Sequence, residues 1–251
     1  MRTSRRFKKG SPLGNIAGAR SHVGPAVGLC IVLFALLAHL SQAAEWQPVV
    51  NTTDGIQVLR KEAADTSLVA FRGVGIVEAP LPLVVTVIFD TGRRREWIEG
   101  LAESRIIRWR SGDSFIEYDH IGLPFIIKDR DFVSNISMSF DPSKREMVFH
   151  YQPSDDHSAP LTNYIRGEMI DMTFILSPLD NDKKTRIDAV FLCDPKGWIP
   201  KWLVNYFLKD WPETTFRNLR KELLKSDLSV DPRFSELFAQ GSSDGERRSR
   251  N

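Results

Sequence analysis

The chain has 251 residues, 42% of them hydrophobic with 15 Phe and 6 Trp, which suits one domain with a sizeable core or at most two small ones. Its formal charge of +2 is uneven: residues 1–43 carry six Lys or Arg and no acid, so taking those six from 34 leaves 28 basic against 32 acidic residues, net −4, over the remainder. That balance is the opposite of a nucleic-acid binder's, and no nucleic-acid partner is expected.

The basic start leads into an apolar run over residues 26–40, closed by Ser41-Gln42-Ala43. Basic segment, apolar run and small residues at the cleavage positions make a secretory signal, with the mature chain starting at Ala44. The alternative is an uncleaved N-terminal membrane anchor, for which the run is short, because a ~30 Å hydrocarbon core needs about 20 residues. A periplasmic or secreted protein is therefore expected. Cys193 is the cysteine left after cleavage, so no internal disulfide can form, and its apolar strand makes it a small buried hydrophobe.

Asp54-Gly55 marks a turn, and Ile56 to Arg60 reads as a short strand. Leu68 to Val77 follows as a second, with Gly73 and Gly75 expected at a bulge or a close approach. Leu83–Asp90 and Arg93–Leu101 read as helical, the run Arg93-Arg94-Arg95 as a solvated helix end. Strand signals then crowd together over 104–110, 114–122, 131–140, 146–151, 164–176 and 185–192, separated by turn residues. Such spacing predicts an antiparallel meander. From Pro200 to about Leu228 the pattern turns helical: Val204, Phe207, Leu208, Trp211, Thr215, Leu219 and Leu223 form an apolar stripe, with a kink expected at Pro212. At 1.5 Å per residue this helix is roughly 40 Å long, enough to cross a sheet. The fold class is thus α+β, a helix-grip: a curved antiparallel sheet wrapped around a long C-terminal helix. Residues 233–251 are expected to be a flexible polar tail.

Several phrases in order carry a resemblance. They are Trp46 with Asp54-Gly55-Ile56-Gln57-Val58; Trp97; Pro124 with Arg130-Asp131-Phe132-Val133; Asp156 to Leu161 with Ile165-Arg166-Gly167-Glu168; and Asp194-Pro195-Lys196-Gly197-Trp198-Ile199-Pro200 running on to Asn205. Together they resemble the START (StAR-related lipid transfer) family over residues 46–228. The resemblance implies a lipid-binding domain over 44–232 with an internal cavity for one phospholipid, sphingolipid, sterol or hopanoid. It implies a lid at Gly122–Lys128, where Pro124, Phe125, Ile126 and Ile127 would be partly exposed at the cavity mouth and touch membrane. It places polar ligand contacts at Asp119 and near His150, with Tyr118 and Arg130 as further candidates. Sterol-type members have a cavity arginine where this chain has Ile136. Arg130 and Asp131 can equally serve only to fix the turn between two strands.

Other chemistry finds no support in the residues. His120, His150 and His157 lack the i,i+4 helical spacing of a zinc site, and there is no cysteine cluster. Asp155-Asp156-His157-Ser158 holds the letters of a hydrolytic triad, but adjacent loop residues cannot line up nucleophile, base and orienter. No metal or cofactor is expected. The expected protein is a monomeric, non-catalytic lipid carrier that meets membranes transiently. A cavity enzyme of the same fold, cyclase- or hydrolase-like, is the alternative.

Overall fold

A computed structural model describes residues 45–64, 66–124 and 127–238, except for the side chains of 201, 202 and 204–209. The chain divides after Ala43, and every described residue belongs to the second unit. The expected leader and residues 239–251 lie outside the described part.

Ten strands form one sheet. They are β1 (Gln47–Asn51), β2 (Gln57–Glu62), β3 (Val69–Val77), β4 (Leu101–Trp109), β5 (Ser114–Ile121), β6 (Arg130–Asp141), β7 (Glu146–Pro153), β8 (Ile165–Arg166), β9 (Glu168–Leu179) and β10 (Lys184–Asp194). The order is β1-β2-β3-β10-β9-β7-β6-β5-β4, with β8 beside β6. Helix α1 (Leu81–Phe89) and a 3-10 turn (Arg94–Glu96) join β3 to β4, and α2 (Lys201–Glu222) follows β10. The architecture is the α+β helix-grip. It departs from a simple meander twice. The β3–β10 pairing closes a long excursion, with Phe71 opposite Phe191 and Val77 opposite Thr185. The expected single strand over 164–176 is two, because β8 runs parallel to β6 and β9 leaves it to pair with β7 and β10. Gly167 makes that break possible: a Cβ there would lie 2.4 Å from the Phe132 ring.

Strand alternation sorts side chains onto two faces. Phe115, Ile136, Met147, Phe149, Leu176 and Ile187 point inward to the main core, with Trp97 and the apolar side of α1. Ile116, Tyr118 and Val133 point outward into a small cluster with Ile107 and Ala159. Helix α2 lies on the inner face through Phe216, Leu219 and Leu223. It is unbroken through Pro212. Its 22 residues span about 33 Å.

Phe216 sits against both glycines of β3, where an added Cβ would come within 2.9 Å of the ring at Gly73 and 2.7 Å at Gly75. In a strand, Ala normally gains over Gly by about 0.5–1 kcal/mol in backbone entropy. Here the sign should reverse. Gly75→Ala is expected to destabilise by about 1–3 kcal/mol, and the loss should shrink when Phe216→Leu is added. A thermal melt of Gly75→Ala at or above the parent's would contradict the close approach.

The domain also runs further than its sequence suggests. Residues 232–238 are helical, and Phe234 and Phe238 are buried in the main core, so residues 233–238 are not part of a flexible polar tail.

Candidate functional site

A buried ion pair interrupts the largely apolar inner face. Arg94, 4% exposed, and Glu117, 1% exposed, form an ion pair with Nη1 to Oε1 at 2.6 Å. The Arg94 Nε donates to the Ile88 carbonyl at the end of α1 (2.7 Å), and Nη1 also reaches the Ser104 hydroxyl at 3.3 Å. Asp119, two residues along β5, shares the face of Glu117 and acts electrostatically on both partners, as Tyr151 does on Arg94. Arg94 Nη2, Glu117 Oε2 and Asp119 Oδ1, together with Trp97 Nε1 and Thr215 Oγ1, have no hydrogen-bond partner at ordinary geometry, although Asp119 stands close enough to act on Glu117, and Tyr151 on Arg94, through their side-chain polar atoms. An unsatisfied buried polar atom costs about 1–3 kcal/mol, so the arrangement suits a site that a polar group completes.

Burial pushes the Glu117 carboxyl up to about 8, against the pull of Arg94 and with Asp119 adding to the rise. Burial alone would lower the Arg94 guanidinium, but Glu117, Tyr151 and Asp119 outweigh it and hold the group protonated. The raised carboxyl has a consequence for stability. The unfolded chain loses this proton near pH 4.5, whereas the folded chain keeps it until about pH 8. Stability from this group is therefore fully present below pH 4.5 and falls as pH rises across the window. Glu117→Gln is expected to flatten that slope in chemical denaturation at stepped pH. An unchanged slope would show that Glu117 does not titrate this way.

Beyond the ion pair the inner face is unevenly covered. Met169, Met172, Phe174, Phe191 and Cys193 on β9 and β10 are only half-buried. Ile136, Phe149, Met147, Leu176 and Ile187 are fully buried. Burial in this apolar strand raises the Cys193 thiol to about 11, so it is no nucleophile at neutral pH.

Two buried charges at the start of β6 organise the neighbouring loops. The Arg130 guanidinium donates to the carbonyls of Lys128 (2.6 Å), Pro195 (3.3 Å), Lys196 (3.2 Å) and Trp198 (3.2 Å). Asp131, with no exposed surface, accepts from Arg166 (2.8 and 3.0 Å) and Thr162 (2.7 Å). Burial alone would raise the Asp131 carboxyl, but bonds from Arg166 and Thr162 hold it below its usual range. One strand start thus ties together the β5–β6 loop, the loop before β8 and the β10–α2 loop. Exposed apolar groups stand on those loops: Trp198 is 75% exposed, Leu161 fully so and Tyr164 partly. Pro124 is exposed as well.

This arrangement, a helix on a sheet with a polar cluster inside, has relatives. The START domain family model matches residues 34–223. The chain belongs to the START domain family. Bovine (Bos taurus) phosphatidylcholine transfer protein is 23% identical over 171 residues, covering 66% of this chain and 78% of that one. The chicken (Gallus gallus) steroidogenic acute regulatory protein is 24% identical, covering 76% and 68%. Human StAR-related lipid transfer protein 5 shares the fold at a TM-score of 0.65, with 19% identity over 79% of this chain and 95% of that one. The START match ends at Leu223, before the buried Phe234 and Phe238.

Within the START fold, the residues expected at the ligand separate. Asp119 faces inward beside Glu117. Tyr118 is corrected: it faces outward, packed with Ile116 and Val133 under a cation–π contact from Arg105 at 5.0 Å. Burial and nearby Asp131 push its phenol up to about 12. His150 is corrected too. It alternates with inward Phe149 and Tyr151, so it points outward, where its Nε2 lies 2.8 Å from Asp171. Arg130, expected at the ligand, donates to backbone carbonyls of the surrounding loops. Ile127 is 8% exposed and so is not an exposed lid group. Phe125 and Ile126 lie outside the described residues.

Arg94 and Glu117 were missed. A signal for Glu117 existed: it shares strand parity with apolar Phe115 and with Asp119. Arg94 had none, since only the fold turns the middle of three arginines inward. Arg93, beside it, is also held, by Glu222 and Asp227, rather than solvated. Ile136 is fully buried in the core, and the arginine beside Glu117 comes from the turn after α1. On the outer face, the loop Asp155–Ser158 forms a shallow polar depression in which Asp156 is occupied by Arg108 and Ser158.

Proposed function

We propose that the protein binds one lipid between the inner face of the sheet and α2, and carries it unchanged between membranes outside the cytoplasm. The observation that carries this reading is the Arg94–Glu117–Asp119 cluster with its unpartnered atoms, set beside a half-buried apolar surface. A lipid has both halves of the complement. Its polar group supplies the missing hydrogen bonds, and its chains cover Met169, Met172, Phe174 and Phe191. The zwitterionic head of a phospholipid suits a site holding one guanidinium and two carboxyl groups. The names of the phosphatidylcholine transfer and StAR relatives support lipid transport. The signal-like pattern of residues 1–43 supports a location outside the cytoplasm. Native mass spectrometry of protein purified without added lipid tests the reading: one intact lipid per chain is expected, and a chemically altered one would hand the case to an enzyme.

Exchange with a bilayer needs a contact surface, and the loops tied by Arg130 and Asp131 offer one. Trp198 has the apolar body and polar edge suited to a membrane interface. Trp198→Ala is expected to lower flotation with phosphatidylcholine vesicles severalfold while leaving the thermal melt in place. Unchanged flotation would remove Trp198 from the contact.

A further inference from the structure

The segment after Leu223 lies outside the START match and yet completes the core. Asp231 starts the turn over 232–238, its carboxylate accepting from the Arg233 amide at 2.9 Å. Its own amide donates to Thr86 Oγ1 of α1 at 3.0 Å. Phe234 packs edge-on against Phe89 (5.4 Å between ring centres), and Phe89 against Phe115 (5.7 Å). Phe238 packs edge-on against Phe140 at the end of β6 (4.8 Å). Arg233 covers Phe89 at 4.6 Å. Lys225 pairs with Glu96 and Glu222, and Asp227 with Arg93, fastening the start of the segment to the same turn that carries Arg94.

These contacts fall at one end of the inner face. Phe115 lies at the start of β5 and Phe140 at the end of β6, away from the loops that Arg130 and Asp131 tie beyond the end of β5 and at the start of β6. We infer that residues 224–238 form a strap whose Phe234 and Phe238 fill the far end of the interior and thereby limit the length of lipid chain the protein accepts. The inference rests on the lipid-carrier reading above. Its physical basis is that a filled end leaves methylenes of a longer chain without apolar cover, whereas removing buried aromatic rings leaves an apolar cavity that such methylenes can occupy.

The test uses the full mature chain, incubated with vesicles holding equal amounts of dimyristoyl, dipalmitoyl, distearoyl and dibehenoyl phosphatidylcholine, with bound species read by native mass spectrometry. The paired variant Phe234→Ala, Phe238→Ala is expected to raise the behenoyl-to-palmitoyl ratio by roughly tenfold, the effect of one or two further sheltered methylenes. The milder pair Phe234→Leu, Phe238→Leu should shift it the same way by less, and decides the matter if the alanine pair fails to melt cooperatively. A folded variant that binds lipid with the parent's chain-length profile overturns the inference. A parent chain that takes up none of these lipids overturns the carrier reading itself for phosphatidylcholine, and the strap's proposed role with it.

Discussion

Arg94→Met alone is expected to destabilise the protein by about 3–5 kcal/mol, and Glu117→Leu alone by a similar amount. Each removes one partner of a buried pair and strands the other where burial is nearly complete. Arg94→Met also leaves the Ile88 carbonyl without its donor. The double variant Arg94→Met, Glu117→Leu should behave differently. Replacing a whole buried ion pair by apolar groups of similar size is often neutral or stabilising. Its stability should therefore return to near the parent's, with a coupling of about 3 kcal/mol or more in the double-mutant cycle. Lipid binding should not return with it, because the atoms that would meet the polar group are gone. Urea denaturation gives the first result and native mass spectrometry the second. A double variant that folds and still carries lipid would reduce the pair to a core element with no part in the ligand.

Arg130→Lys is the second large effect. The guanidinium donates to four carbonyls on two loops. A lysine ammonium is a compact point charge and cannot span them, so several part-buried carbonyls lose their donor. A cost of about 2–4 kcal/mol follows from two or more unsatisfied groups. The damage should be local in character. Hydrogen exchange is expected to quicken in residues 194–200, whose carbonyls Arg130 binds, well before the strands β9 and β10. Uniform quickening across the sheet would mean that Arg130 supports the whole fold rather than the mouth loops.

Local pattern carried much of the fold. The apolar stripe of Leu219 and Leu223 gave the long helix, and the turn residues separated the strands, because both signals are decided within a few residues. Pairings made over long separations were not legible. Nothing near Phe71 announces Phe191 as its partner, and no local signal breaks residues 164–176 at Gly167 except the Phe132 ring, which arrives from another strand. The site shows the same division. Alternation fixes that Tyr118 and Asp119 lie on opposite faces, but which face is inward depends on apolar neighbours such as Phe115. That reasoning recovers Glu117 and sends Tyr118 and His150 outside. Arg94 stayed hidden because a run of three arginines is ordinarily a solvated surface. The strap stayed hidden because two Phe among charged and small residues make no stripe; they are buried by landing on Phe89 and Phe140.

The proposed function requires that this chain move an intact lipid between membranes. Transfer of a fluorescent phosphatidylcholine from donor to acceptor vesicles, with the chain from Ala44 onward in catalytic amount, tests it most directly. Transfer well above the spontaneous rate is predicted, with the lipid recovered chemically unchanged and the rate abolished in the stable Arg94→Met, Glu117→Leu variant. A rate no greater than without protein, across phospholipid, sphingolipid and sterol probes alike, would contradict it.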